Sequence, residues 1–132
     1  MGKGSEHAKL WIEKAKNDLL NTDNNLASDR IPFDTVCFHC QQAAEKLLKA
    51  FLVARNVEYP ITHNLFVILE CILQFDPSAE VLRESLAILN PYSVEIRYPG
   101  DAWMPTLEDT KEARQAAQQV LDWIESKIQM LF

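Results

Sequence analysis

Residues 36–52 read VCFHCQQAAEKLLKAFL, and the apolar side chains in this stretch recur every three or four positions. This spacing places them on one face of an α-helix, which is the pattern of a helix buried along one side. We expect the helix to run from Asp34, its N-cap, to about Arg55 and to lie at the centre of a bundle. The apolar stripe comprises Val36, Cys40, Ala43, Ala44, Leu47, Leu48, Phe51 and Leu52. The polar positions expected on the outer surface are Gln41, Glu45 and Lys49.

Similar periodicity predicts a helix on each side of this central one. Residues 6–27 carry apolar side chains at helical spacing, with charged residues between them. Residues 63–74 repeat the pattern, and the Thr62 side chain can cap the free N–H groups at their start. We expect residues 1–5 to be disordered and residues 1–132 to form a single domain.

Two further helices and one long loop complete the predicted fold. Asp76-Pro77 begins the fourth helix, because an Asp cap is followed by Pro at a position that needs no N–H. Asn90-Pro91 ends this helix. Residues 91–105 hold three prolines and three aromatic side chains, which is typical of a functional loop. Thr106 and Asp109 form a capping box for the last helix. The predicted fold is all-α, a five-helix, mostly antiparallel up-and-down bundle with a long aromatic loop before the last helix.

The composition limits the cellular setting and the class of partner. The chain has 132 residues and a formal charge of −6, which argues against non-specific binding of DNA, because that mode needs a basic surface. Its apolar runs are far shorter than the ~20 residues that a membrane span needs. Three cysteines cannot all pair within one chain, and no secretory signal is visible. We therefore expect a cytoplasmic protein with no membrane association.

Four short motifs, in order along the chain, resemble those of one helical family. They are AKNDL at 15–19, CQQAAEKLLKAFL at 40–52, THNL at 62–65 and EIRYP at 95–99. Together they make the chain similar to the HEPN domain family (higher eukaryotes and prokaryotes nucleotide-binding domain). The resemblance implies a bundle that commonly forms a homodimer, and a minimal nucleotidyltransferase as the partner protein in a toxin-antitoxin system. The apolar side chains of Phe38 and of residues 130–132 agree with a homodimer.

The resemblance also implies a chemistry that can be compared with these residues. Many HEPN members are metal-independent ribonucleases that use an arginine followed by four to six residues and a histidine, and Arg97 matches the arginine. The three positions where the histidine would stand hold Ala102, Trp103 and Met104. None of these side chains exchanges protons at neutral pH, so we predict a non-catalytic module. The alternative, an endoribonuclease toxin with an altered active site, would need Asp101, Glu95 or a displaced His63 as its base.

The candidate site for a nucleotide or RNA is the aromatic loop around Arg97. A guanidinium can bind phosphate through two hydrogen bonds while a ring such as that of Tyr98 stacks on a base. The predicted nucleotide-binding residues are Arg97, Tyr98, Trp103, Asp101, His63 and Lys46. In the alternative interpretation, Arg97 pairs with Glu95 or Asp101 and the aromatic rings cover the end of the bundle. The protein would then be a purely structural interaction protein.

Four side chains outside this loop have two possible roles each, and for the two cysteines these are a metal or redox site and a place in the apolar core. His63 either fixes the loop after the central helix through hydrogen bonds or serves as a base or ligand near Arg97. Lys46 either adds positive potential to the site or is a solvated flank. Cys37 and Cys40 lie three residues apart on the apolar face, and the chain has too few cysteines for a four-cysteine zinc site. We expect both thiols to act as small hydrophobic groups and predict no metal and no cofactor.

Overall fold

The computed structural model describes residues 3–94 and 104–131, and over these ranges it contains helices and no strand. A 3₁₀ segment, Pro77–Leu82, precedes the fourth α-helix, and another, Asn90–Tyr92, follows it. The five α-helices are α1 (Lys3–Leu26), α2 (Phe33–Ala54), α3 (Leu65–Leu73), α4 (Arg83–Leu89) and α5 (Leu107–Leu131). The prediction of an all-α, five-helix fold is confirmed. None of the described helices combines the length and apolar character needed to cross a bilayer.

Contacts between α1 and α2 show that the two helices run in opposite directions. Near the start of α1, Gly4 lies against the backbone of Val53, close to the end of α2. Further along α1, Asp18 accepts a hydrogen bond of 2.6 Å from Lys46, which lies earlier in α2. As the residue number increases along α1, the number of the contacting residue in α2 decreases. The two helices are therefore antiparallel.

The last helix closes the bundle against the first. Lys16 binds Glu125 at 3.1 Å, and Arg114 donates to Asp23 at 2.8 Å, so α1 and α5 are also antiparallel. Since α2 and α5 both run opposite to α1, they run parallel to each other. Both pairs that involve α1 are thus antiparallel, and α2 packs between the antiparallel α1 and the parallel α5.

The core is built around the apolar face of α2, as the periodicity predicts. The α2 stripe is completely buried at Val36, Cys40, Ala43, Ala44, Leu47, Leu48, Phe51 and Leu52. The facing stripe of α5 is buried at Ala113, Ala116, Val120, Ile124 and Ile128. Removing this apolar surface from water supplies the main driving force for the fold.

One prediction about α2 is wrong, because Gln41, Glu45 and Lys49 are buried and do not line the outer surface. The segment between α2 and α3 crosses this flank: the His63 carbonyl accepts from Gln41, and the Tyr59 ring lies beside Lys49. Polarity alone places these side chains in solvent. Burial is tolerated because their polar atoms bond to one another and to the covering loop.

Two of the predicted N-caps are also wrong. The α2 helix begins directly after Pro32 without a side-chain cap, and Asp34 lies inside its first turn. The cap of α3 is Asn64, whose Oδ1 accepts the Phe66 N–H at 3.0 Å. Thr62 instead accepts the Asn64 N–H at 3.0 Å and shapes the turn before the helix. Both Thr62 and Asn64 have side chains that can cap a helix. Asn64 is the cap because α3 begins at the next residue, Leu65.

The predicted caps of the other two segments are confirmed. Asp76 accepts the N–H two residues ahead at 3.0 Å, although the segment it caps is the 3₁₀ turn Pro77–Leu82. A 3₁₀ helix has about three residues per turn, so the spacing of an α-helix does not apply to this segment, and Val81 is exposed. Thr106 and Asp109 form the reciprocal capping box, with backbone to side-chain bonds of 2.9 and 3.1 Å.

Residues 3–5 form the first turn of α1, although we expected them to be disordered together with residues 1 and 2, which lie outside the described residues. Gly4 is buried against the end of α2. A Cβ atom at Gly4 would lie 2.6 Å from Asn56 Oδ1 and 2.7 Å from the Val53 carbonyl oxygen, so only glycine fits without a shift. The absence of a side chain therefore lets α1 begin earlier than its apolar pattern indicates.

Candidate functional site

The predicted site residues fall into two groups. Arg97, Tyr98, Asp101 and Trp103 lie outside the described residues, and their roles stay predictions. His63 and Lys46 are described, and both contact carboxylates: His63 pairs with Glu45 and Lys46 pairs with Asp18. The described part of the candidate site is therefore the flank of α2 that faces α1 and the α2–α3 loop.

Glu45 is the centre of this flank, because both of its carboxylate oxygens are engaged. Lys49, one turn further along α2, donates to Oε2 at 3.0 Å, and His63 Nδ1 lies 2.8 Å from Oε1. The side chains of Glu45 and Lys49 are only 7% and 9% exposed, whereas that of His63 is 70% exposed. A carboxylate only accepts hydrogen bonds, so Nδ1 carries the hydrogen in this pair. The buried pair thus holds a solvent-exposed imidazole by one of its two nitrogens.

Gln41 holds the same histidine by its backbone. Its Nε2 donates to the His63 carbonyl at 3.0 Å, and Gln42 Nε2 donates to Gln41 Oε1 at 2.7 Å. Gln41, Glu45 and Lys49 are spaced four residues apart and form one line along α2, which we call the polar row. Two of its three members bind His63, so α2 fixes both the backbone and the ring of this residue.

Lys49, the third member of the polar row, also lies beside an aromatic ring. Its Nζ atom is 5.1 Å from the centre of the Tyr59 ring, which suits a cation–π contact. Tyr59 in turn packs edge-to-face on Trp11 of α1, with ring centres 5.5 Å apart. These contacts tie the α2–α3 loop to two helices and exclude water from the Lys49 ammonium.

Lys46 belongs to a second group of polar side chains, between α1 and α2. It donates to Asp18 Oδ2 at 2.6 Å, while His39 Nδ1 is 3.4 Å from Asp18 Oδ1. All three side chains are largely buried. The charge of Lys46 is therefore compensated by a carboxylate, and its direct contribution here is to join two helices.

Cys37 and Cys40 are completely buried on the apolar face of α2. Burial raises the pKa of each thiol to about 12, since the charged thiolate is costly away from water. The two residues therefore act as small hydrophobic groups, as expected. Over the described ranges, no group of three or more His, Cys, Asp or Glu side chains is placed to hold a metal ion.

Thiol reactivity provides a direct check of this burial. Cys71 is only partly buried, so we expect it to react first with a thiol reagent such as DTNB at pH 8 in the native state. With a pKa of about 12, Cys37 and Cys40 have only about one thiolate in 10,000 molecules at pH 8. Each further pH unit up to about 11 raises that fraction roughly tenfold. All three thiols should react after unfolding, and fast native modification of Cys37 or Cys40 would contradict their placement.

Sequence reasoning finds His63 but misses the residues that hold it. Polarity alone assigns Gln41 and Glu45 to the solvent. The available signal is that the polar row is a line of polar residues along the edge of the apolar stripe, next to a loop that contains a histidine. Such a line indicates polar groups that a covering segment can satisfy.

Comparisons with known proteins agree with this fold. The family model for the HEPN domain matches residues 8–127, which is nearly the whole chain. Among solved structures, TT1696 from Thermus thermophilus is similar: its sequence is 29% identical, the TM-score is 0.74, and the match covers 91% of this chain and 97% of that one. A search of curated proteins gave no significant match. On the strength of the family match, the chain belongs to the HEPN domain family.

Proposed function

We propose that this HEPN-family protein is a non-catalytic module that binds a nucleotide or RNA, and that His63 contacts this ligand. The supporting observation is that the ring of His63 is 70% exposed although its Nδ1 is held by the buried Glu45. A side chain that is already fixed loses little conformational entropy on binding, and it presents one defined edge to a ligand. An imidazole that is fixed in this way at the surface is suited to recognising a ligand.

The remaining parts of the proposal follow from residue types and from the family. In this proposal Arg97 binds phosphate, Tyr98 and Trp103 stack on a base, and Asp101 and Lys46 are further ligand-binding residues. The protein acts in the cytoplasm as a homodimer and pairs with a minimal nucleotidyltransferase in a toxin-antitoxin type system. The formal charge of −6 excludes non-specific DNA binding from the proposed role.

Calorimetric titration with mononucleotides and a short RNA tests the binding role. The wild type should bind, and His63→Ala should weaken binding by about five- to tenfold, because it removes one hydrogen bond from a fixed group. His7→Ala is the matched control, since His7 is exposed on α1 and does not contact the polar row. Absence of heat would favour a purely structural interaction protein, whereas equal affinity in wild type and His63→Ala would contradict the proposed contact of His63 with the ligand.

A second candidate function, an endoribonuclease, is favoured by one observation. A carboxylate that holds an imidazole in one tautomer is the arrangement that orients a general base, and Glu45 with His63 has this geometry. Incubation of the purified protein with RNA in EDTA separates the two functions. Metal-independent cleavage that disappears in His63→Ala and in Arg97→Ala, but persists in His7→Ala, would replace the non-catalytic proposal.

A further inference from the structure

A groove lies between α5 on one side and the segment Pro77–Leu82 with the start of α4 on the other. Its volume is about 520 Å³, which is within the range of about 300–1,000 Å³ that is typical of ligand pockets. The residues that line it include Val81, Leu82, Glu84, Asp122 and Trp123. None of them belongs to the polar row or contacts His63, so the groove is a separate surface of the molecule.

The apolar part of the groove combines a fixed wall with an exposed side chain. Leu82 is buried, and Trp123 is partly buried. The Trp123 ring is fixed by the core, since its centre lies 5.5 Å from that of the buried Phe51 ring. Val81 in the same groove is 71% exposed. An exposed apolar side chain next to a fixed aromatic ring favours the binding of a further apolar group.

The two carboxylates of the groove have no positive partner within the described ranges. Glu84 forms no ion pair there, and Asp122 accepts a hydrogen bond of 2.9 Å from the neutral amide of Gln118. The nearest cations in sequence, Arg83 and Lys127, pair with other carboxylates of the chain. The groove therefore presents two negative charges beside an apolar surface, and a positively charged occupant complements it.

A second copy of the chain does not supply this complement well, because few of its positive side chains are free. Six Lys and Arg side chains in the described ranges already pair with carboxylates of the same chain. They are Lys16, Lys46, Lys49, Arg83, Arg114 and Lys127. Each copy also has a formal charge of −6, so two copies repel one another. A homodimer is therefore expected to use another surface, and the occupant of the groove to be a different, basic protein.

We propose that this groove binds a basic amphipathic helix of a partner protein. An apolar side chain of that helix packs against Val81 and Trp123, while its Lys or Arg side chains pair with Glu84 and Asp122. A helix suits this groove because residues three and four positions apart project from one face and can present both kinds of group together. The inference goes beyond nucleotide or RNA binding and does not depend on that function.

Fluorescence anisotropy with a labelled model peptide tests this docking surface. The probe is a 14-residue peptide of Leu and Lys with Leu at helical spacing, and the control peptide has Glu in place of every Lys. The Lys peptide should bind the wild type with a Kd in the micromolar range. The Glu peptide should bind at least about tenfold more weakly, because its carboxylates face those of the groove.

A positive charge placed in the groove shows whether the peptide lies there. Val81→Lys should weaken binding of the Lys peptide about tenfold, because an ammonium then faces the ammonium groups of the peptide. Val67→Lys is the matched control, since Val67 is an exposed valine on α3 that does not line the groove. It changes the net charge equally and should weaken binding less than about twofold. Both valines are exposed, so neither substitution should prevent folding.

Removing the carboxylates of the groove tests the ion pairs separately. The double variant Glu84→Gln and Asp122→Asn should weaken binding of the Lys peptide about fivefold, because two ion pairs are lost. The control double variant, Glu13→Gln and Glu112→Gln, removes two exposed carboxylates that do not line the groove. It should weaken binding less than about twofold.

Three outcomes would overturn the proposal. The first is absence of binding of the Lys peptide to the wild type. The second is equal weakening in the groove variants and their matched controls, which would mean that the peptide responds to net charge alone. The third is a wild-type dimer, in sedimentation, that Val81→Lys dissociates and Val67→Lys does not, because the groove would then hold a second copy. Each of these outcomes leaves nucleotide binding, which calorimetry tests, unaffected.

Discussion

Replacing Glu45 with alanine should lower the free energy of unfolding by about 3 kcal/mol, because it leaves a buried charge without its partner. The Lys49 side chain is only 9% exposed, and its ammonium bonds to Glu45 at 3.0 Å. The same substitution removes the anchor of the His63 ring. Urea unfolding followed by circular dichroism measures the loss.

Two variants show whether the buried pair is the cause. Glu13→Ala removes an exposed carboxylate from the middle of α1 and should change stability by no more than about 0.5 kcal/mol. Combining Glu45→Leu with Lys49→Leu should recover much of the loss, since an apolar pair leaves no unpaired charge. Equal effects of Glu45→Ala and Glu13→Ala would mean that water reaches Lys49.

Replacing Phe51 with alanine should lower the free energy of unfolding by about 4 kcal/mol. Phe51 is completely buried on α2, and its ring centre lies 5.5 Å from that of Trp123 on α5. The Arg55 guanidinium lies 4.9 Å from the centre of the same ring. The substitution therefore opens a cavity where α2 meets α5 and removes a cation–π contact as well. Thermal unfolding measures the loss of stability, and the intrinsic tryptophan fluorescence, to which Trp123 contributes, should change as well.

Phe75 supplies a matched control for this core substitution. It lies between α3 and the 3₁₀ segment and is 45% exposed, so Phe75→Ala should cost about 1 kcal/mol or less. A comparable loss of stability in the two variants would contradict the placement of Phe51 at the centre of the core.

The fold could be predicted from the sequence wherever apolar side chains are buried and polar side chains are exposed. Along α2, the apolar residues from Val36 to Leu52 face the core, and helical spacing alone identifies them. The capping box of Thr106 and Asp109 was predictable because both partners lie within four residues of each other. The burial of Glu45 was not, since it depends on a segment that returns to α2 only after the helix has ended.

In the candidate site, too, contacts between residues close in sequence could be predicted, and contacts between distant residues could not. Helical spacing places Glu45 and Lys49 one turn apart, which is close enough for the pair that they form. The pairing of Glu45 with His63, 18 residues away, depends on the path of the α2–α3 loop. His63 has two possible roles from its sequence, and its bond to Glu45 supports the first, fixing the loop. The ring is exposed, and the second role, as a base or ligand near Arg97, is tested by the binding and cleavage experiments above.

The closure of the bundle by α5 has a consequence for biosynthesis. Lys16 and Glu125 are 109 residues apart in sequence, and Asp23 and Arg114 are 91 apart, so the first helix meets the last only after α5 has emerged from the ribosome. Until then, the α2 surface that α5 covers stays open to water. We expect the nascent chain to recruit a chaperone during this interval, and translation stalled before residue 107 to yield an aggregation-prone fragment.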